Sequence, residues 1–318
     1  MSKKNMLTRE MELNLKKQHY ALVGSHSAVK ICTWTKKSIK DEDFCYKQKF
    51  YGIRSHLCCQ MTSSIDCPNL CEFCWRDHST PYTTKWLWSI DKPEEIINKA
   101  IESQKKLLSG LWGLKQANKI KLKQAMQPKH FALSLIGESI MYPKINELIR
   151  LLHKEGITTF LVTKGQFPEK LAKLQPVTQL YISLDAPNKK IFDKLNKPLF
   201  KDGWQRLIKS LEIMKKLRKK TRTTIRLTCI KGINMLEEEN YAKLLKKANP
   251  IFIEVKGYMW VGSSRLRLQQ KNMPSHKEVK EFTKKIASLI NYKIIDEKPN
   301  SRVVLLVKKD FKGRIMKF

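Results

Sequence analysis

The chain has 318 residues, 42% of them hydrophobic, which is enough for one large α/β domain or two modest ones with a true core. Lys and Arg number 63 against 29 Asp and Glu, leaving +34 spread along the chain, far above the roughly 2 to 8 that solubility asks of a small domain. No run of about 18 apolar residues occurs and "MSKKNMLTRE" holds no apolar leader segment, so neither a membrane span nor a secretory signal is expected, and a cytoplasmic protein is. In that reducing compartment eight cysteines read as metal ligands or catalytic thiols rather than as a disulfide framework. The charge points to a polyanionic partner, since nucleic acid gains from counterion release at such a surface.

In chain order, the first feature is the set Cys32, Cys45 and Cys58, with twelve residues between each pair. That spacing matches neither a heptad nor a known zinc signature. The intervening "YKQKFYGIR", like "KGYMWVGSSRLRL" further on, mixes aromatic and basic residues able to stack bases and hold phosphates. Next comes "DCPNLCEFCWR", with Cys67, Cys71 and Cys74 spaced by three and two residues. Three thiolates in this arrangement can hold three irons of a four-iron cluster and leave the fourth open. Zinc is the alternative, with Cys58 or Cys59 closing a tetrahedral site, but zinc ribbons usually present two Cys-x-x-Cys pairs and only one is present here.

Asp91 and Pro93 open an amphipathic stretch near 91–127 whose Ile97, Ala100, Ile101, Leu107, Leu108 and Leu111 line a face, which predicts a helical pair. From 129 the pattern alternates. Strands are expected over 129–137, 157–162, 178–185, 223–230 and 251–257. Between them lie helices led by "YPKINELIRLLHKEG", with Ile145, Leu148, Ile149 and Leu152 on one side and Gly156 as the stop. A short helix follows "QFPEK", a long basic one runs from about Gly203 to Lys220 and ends in "KKLRKK", another covers 236–248, and Ser275 with Glu278 signals a capping box before the last. Alternation of this kind implies parallel pairing in an α/β barrel or part-barrel. Glu254, Lys256 and Arg265 then fall where substrates bind such barrels, or form a salt-bridged rim. Cys229 reads as core, and the direction of Arg226 depends on register.

Cys67-x3-Cys71-x-Phe73-Cys74 resembles the signature of the radical S-adenosylmethionine (SAM) superfamily. The resemblance implies a [4Fe-4S] cluster on these cysteines, SAM chelated at the open iron, and Phe73 near the adenine. "IGES" is similar to the family's Gly-Gly-Glu motif with Ile136 in place of the first glycine. Gly137 permits close backbone approach there, and Glu138 can accept from an ammonium. "ISLDAP" lies where the family's fourth strand meets SAM, so Ser183 and Asp185 are candidates for ribose or methionine contacts, with ordinary loop capping as the alternative.

A closer resemblance spans almost the whole chain. The first cysteine triplet together with "CEFCWR", "YPKINELI", "LVTKGQFPE", "ISLDAPNKK" and "EVKGYMWVGSSRLRL" is similar to the archaeal tRNA 4-demethylwyosine synthase family. This implies a partial (β/α)6 barrel of the TIM type over residues 61–310, a cluster-binding N-terminal extension over residues 1–60, and a helical insertion near 91–127. It also implies a second [4Fe-4S] cluster on Cys32, Cys45 and Cys58. The expected reaction joins N1-methylguanosine, 3′ of the anticodon in phenylalanine tRNA, to two carbons of pyruvate. Lys47 matches the lysine proposed to form a Schiff base with pyruvate, with Lys49 as its cationic neighbour; an electrostatic role for Lys47 stays open. No flavodoxin domain is expected before the first triplet, so electrons are expected from an external ferredoxin or flavodoxin, and a monomer on one tRNA is the simplest expectation. The alternatives are a radical SAM enzyme acting on another RNA, and a non-enzymatic zinc or iron-sulfur RNA-binding protein.

Overall fold

A computed structural model describes residues 7–318, which divide into two compact units. The first comprises residues 7–67 with Lys85–Leu161 and Ile315–Phe318; the second comprises Pro68–Thr84 and Val162–Arg314. Among the described residues no helix is long and apolar enough to cross a membrane.

In chain order the first unit holds α1 (Arg9–Lys17), β1 (Ala21–Val23), β2 (Ser27–Val29), α2 (Thr33–Ile39), α3 (Tyr46–Tyr51), β3 (Cys58–Thr62), α4 (Pro93–Leu108), α5 (Lys119–Ala125), β4 (His130–Leu133), α6 (Ile145–Lys154) and the start of β5 (Thr158–Thr163). Its strands lie in the order β1-β2-β3-β4-β5. The first three are antiparallel neighbours, whereas β3, β4 and β5 run parallel. Every residue of β4 is buried, as a parallel strand covered on both faces should be. On α6 the buried residues are Ile145, Leu148, Ile149 and Leu152, the face that the periodicity predicts. On α4 the buried stripe is instead Ile96, Ile97, Ala100, Gln104 and Leu108, so the Ile101, Leu107 edge is only half covered. The Gln104 side-chain amide nitrogen donates to the Ala125 carbonyl at 3.1 Å, at the end of α5 where helix carbonyls lack intrahelical partners, while its Oε1 is buried and accepts no hydrogen bond from the protein.

The second unit continues with α7 (Pro168–Ala172), β6 (Gln179–Ser183), α8 (Lys189–Asn196), α9 (Gly203–Leu217), β7 (Arg222–Cys229), α10 (Glu238–Ala248), β8 (Phe252–Gly257), α11 (His276–Leu289), β9 (Lys293–Lys298) and β10 (Val303–Val307). Here β6, β7 and β8 are parallel, and β10 then β9 extend the sheet antiparallel from β8. The strands β3 to β8 are thus each followed by helix, the α/β class that the alternation predicts. The capping box forms as predicted: the Ser275 hydroxyl accepts from the Glu278 N–H at 3.2 Å, and the Glu278 carboxylate accepts from the Ser275 N–H at 2.7 Å. The β9, β10 pair was not legible in the alternation, because it joins the sheet through a tight turn at Pro299–Ser301 instead of a helix.

Candidate active site

Three chain segments of the first unit meet at one cavity, whose lining includes Cys32, Cys45, Cys58 and Lys47. Each cysteine sits where an element begins: Cys32 caps α2, Cys45 caps α3, and Cys58 is the first residue of β3. A buried hydrogen-bond knot ties the segments together. The Thr35 hydroxyl donates to the Ser55 carbonyl at 3.1 Å, the Cys45 N–H donates to the Ser55 hydroxyl at 3.0 Å, and Ser55 donates from N–H and O–H to Gln48 Oε1 at 3.0 and 2.8 Å. Burial pushes the Cys58 thiol up to about 12, with Cys32 and Cys45 adding to the rise and Lys47 opposing it. Burial also raises Cys32, against the N–H groups of Trp34 and Thr35 and the charge of Lys47. The Lys47 ammonium lies 5.3 Å from the centre of the Phe160 ring. Lys49 is exposed and does not line the cavity, as expected two residues along a helix, where side chains point to opposite sides.

Among the described residues, no three or more His, Cys, Asp or Glu converge on the single point that one metal ion would need. The cavity holds three thiols and no other Cys, His, Asp or Glu. That donor set suits a cluster whose irons are spread apart, each taking one thiolate, with one iron left for a non-protein ligand.

The second triplet begins at the end of the first unit. Past β3, the Ser63 hydroxyl donates to the Ser139 carbonyl at 3.1 Å, and the Glu138 N–H donates to the Asp66 carbonyl at 2.7 Å. Gly137 has φ +66°, and a Cβ there would lie 2.0 Å from the Ser64 carbonyl oxygen. The close approach that Gly137 permits is therefore to the segment that delivers Cys67. Glu138 and Cys67 are 1% and 6% exposed.

In the second unit the cysteine loop is fixed through its backbone. Leu70 and Glu72 donate from N–H to the carbonyls of Lys197 and Leu195 at 3.2 and 3.0 Å, and Cys74 donates to Cys71 at 3.0 Å. The Arg267 guanidinium donates to three loop carbonyls, those of Glu72 at 3.0 Å, Arg76 at 3.2 Å and Cys74. Asn196 gives its side-chain amide to Cys71 Sγ at 3.7 Å and accepts from that thiol on its own carbonyl at 3.7 Å. Phe73 packs on a cluster formed by Leu195, Ile230, Tyr258 and Leu268, and the Lys164 ammonium lies 4.5 Å over its ring. Asp185 is buried and accepts from Lys164 at 2.7 Å and from the Thr228 N–H at 3.2 Å. Burial would lower the Lys164 ammonium, yet Asp185, helped by Cys71, holds it above its ordinary value. Asn69 Oδ1 and Asn196 Oδ1 are buried and accept no hydrogen bond from the protein. Unsatisfied acceptors beside thiols suit a site built for a polar ligand.

Other predicted residues scatter. Ser183 is buried at the end of β6, and Glu254 is fully buried on β8. Lys256 donates to the Ser301 carbonyl at 2.9 Å. Arg265 is exposed, its guanidinium 5.0 Å from the centre of the Trp260 ring. The Arg226 guanidinium lies 5.8 Å from the Tyr181 ring centre. Lys164, Asn196 and Arg267 were not singled out from the sequence; the available signals were that Lys164 falls within "LVTKGQFPE" and Arg267 within "EVKGYMWVGSSRLRL".

Residues 61–245 match the model of the radical SAM superfamily, and residues 247–308 match the model for wyosine base formation. The S-adenosyl-L-methionine-dependent tRNA 4-demethylwyosine synthase of Pyrococcus abyssi is 46% identical over 301 residues, covering 93% of this chain and 87% of that protein. The mouse protein of that name, TYW1, is 44% identical over 309 residues, 96% of this chain; the chain spans only 43% of its length. A solved structure of TYW1 with a lysine-pyruvate adduct bound superimposes with a TM-score of 0.87 at 35% identity, covering 98% of this chain and 100% of that one. The radical SAM family brings with it SAM and an iron-sulfur cluster. The chain belongs to the tRNA 4-demethylwyosine synthase family of radical SAM enzymes.

Proposed function

We propose that this chain condenses N1-methylguanosine, 3′ of the anticodon in phenylalanine tRNA, with two carbons of pyruvate to form 4-demethylwyosine, working in the cytoplasm as a monomer with an external electron donor. The observation that carries this reading is the placement of one lysine, Lys47, in the wall of a cavity shared by Cys32, Cys45 and Cys58. In this reading Cys67, Cys71 and Cys74 hold the first [4Fe-4S] cluster, and Cys32, Cys45 and Cys58 hold a second with one open iron. SAM, when bound at the first cluster and reduced, supplies the 5′-deoxyadenosyl radical that takes hydrogen from the N-methyl group.

The chain's own residues do the rest. Lys47 captures pyruvate as a Schiff base through its amine, releasing water and fixing C2 for attack by the methyl-derived carbon radical. Cleavage of the pyruvate C1–C2 bond then expels C1 as a one-carbon carboxyl fragment carrying the unpaired electron and restores the imine, and attack of the guanine exocyclic amine on that imine closes the ring and releases the Lys47 amine. The lysine-pyruvate adduct in the similar TYW1 structure supports a lysine as carrier. Glu138 would accept from the ammonium of SAM and Phe73 would contact its adenine, while the segment braced by Gly137 presents Cys67. Ser183 and Asp185 would contact its ribose and methionine. Glu254, Lys256, Arg265 and Lys49 are left for substrate contacts, with the basic surface holding tRNA.

The test is a single-turnover reaction with methylated tRNA, SAM, a strong reductant and pyruvate labelled at C2 and C3. Label entering the tRNA is expected; SAM cleavage with no label in the tRNA would refute the reading. Iron analysis of anaerobically reconstituted protein should give about eight irons, and about four would remove the second cluster.

A further inference from the structure

The second unit carries a cavity of about 630 Å³ to which none of the roles above is assigned. Its walls follow the C-terminal ends of three successive parallel strands: α8 after β6, the segment from Gly232 after β7, and Arg267 with Leu268 after β8. This is the end at which β/α proteins bind substrates. One further wall is Glu72, from the cysteine loop itself, and the neighbouring Arg267 donates to carbonyls of that loop, that of Glu72 included. The cavity is thus coupled to the loop that carries Cys71 and Cys74.

Its chemistry is lopsided. Lys190 and Lys194, one turn apart on α8, are exposed, and neither has an ion-pair partner among the described residues. Both carboxylates in the lining are already engaged: Glu72 pairs with Lys197, and Glu237 accepts from the Asn188 amide at 2.9 and 2.8 Å. The floor is apolar, with Ile233 and Leu268. Free cations above an apolar floor fit a phosphate joined to a flat heterocycle, and the volume lies within the roughly 300 to 1,000 Å³ of small-molecule sites. A flat docking face for an acidic redox protein would need neither the depth nor the apolar floor.

We propose that this cavity is a subsite for a nucleotide flanking the modified guanosine, its phosphates held by Lys190 and Lys194 and its base resting on Ile233 and Leu268. The proposal rests on the tRNA reading above and adds where the anticodon loop is gripped. The flanking nucleotide would leave the loop's stack, which frees its neighbour to be extruded toward the radical.

The experiment measures binding of a synthetic anticodon stem-loop carrying N1-methylguanosine, by fluorescence anisotropy across a salt series, with no catalysis required. For single strands each neutralised phosphate contributes about 0.7 to the slope of log affinity against log salt, so Lys190→Ala with Lys194→Ala should reduce the slope by about 1.4. The paired Arg substitutions should restore it, and Lys215→Ala with Lys216→Ala, which removes the same charge from the end of α9, should leave it unchanged. A wild-type slope in the Lys190, Lys194 double variant overturns the subsite, as does an equal fall in the α9 control. So does an effect confined to binding of an acidic electron donor. If the wild-type protein neither binds nor modifies the stem-loop, the tRNA reading itself falls and the subsite with it; modification with a wild-type slope in the double variant removes the subsite alone.

Discussion

The two cysteine triplets solve one problem in opposite ways. Cys67, Cys71 and Cys74 lie within eight residues of sequence, and the loop between them is shaped by backbone hydrogen bonds from Leu70, Glu72 and Cys74 and by the Arg267 guanidinium. Cys32, Cys45 and Cys58 span 27 residues and meet only because α2, α3 and β3 fold onto one another, pinned by Ser55, Gln48 and Thr35. The close spacing of the local set keeps its thiols near one another in any conformation, although its final shape borrows the Lys197 and Leu195 carbonyls and the Arg267 guanidinium, whereas the long-range set comes together only once its unit is folded. The difference also places the lysine: α3 brings Lys47 to the dispersed triplet, and Phe160 from β5 closes over it.

The sharpest way to break this comparison is to remove one thiol from each. Cys67→Ala should abolish SAM cleavage, whereas Cys45→Ala should keep some uncoupled cleavage and lose the tRNA product; each should drop iron from about eight to about four per chain. Equal behaviour in both assays would erase the division of labour. Next in size, Lys47→Ala should lower product formation by at least about 100-fold while SAM is still cleaved, because a covalent carrier is lost without touching the radical source. Borohydride reduction in the presence of labelled pyruvate should mark the wild-type chain and not this variant; persistent labelling would move the carrier elsewhere.

Smaller effects probe the supports. Gly137→Ala puts a Cβ 2.0 Å from the Ser64 carbonyl oxygen at a left-handed φ, and should destabilise the protein by about 1 to 3 kcal/mol or more while lowering iron retention at the first cluster. Thermal melting with iron analysis checks it, and a wild-type melting temperature would show that the segment before Cys67 yields freely. Acid should act on the other triplet's unit. His130 is buried, its Nε2 accepts from the Arg54 N–H at 3.3 Å, and its Nδ1 is 2.7 Å from the Thr158 hydroxyl. Burial, with His56 and Arg54 nearby, holds it down at about 4. The folded state therefore favours the neutral ring, and this contribution is full above the ordinary value of 6.5 and is lost as pH falls toward 4. On the order of 2 to 3 kcal/mol of stability should vanish over that window, at 1.36 kcal/mol per unit. Urea unfolding of wild type and His130→Gln at pH 7 and pH 4.5 tests this; identical pH dependence in the two proteins would exclude His130.

The sequence by itself determined the α/β class, the apolar faces such as that of α6, and the compact cysteine motif, because each is a short-range pattern whose period or spacing is its physical content. It also exposed the even spacing of the first triplet, although only likeness to a family gave that spacing a meaning. Tertiary structure alone decided that Gln104 is buried on α4, that Gly137 yields to the backbone before Cys67, and that Lys47 rather than Lys49 lines the thiol cavity. It likewise brought Asn196 to Cys71 across 125 positions and Arg267 to the Glu72 carbonyl across 195. Contacts over such separations leave no periodicity to read: each is fixed by how two segments pack, and a side chain's partner becomes definite only when the strands and helices between them have taken their places.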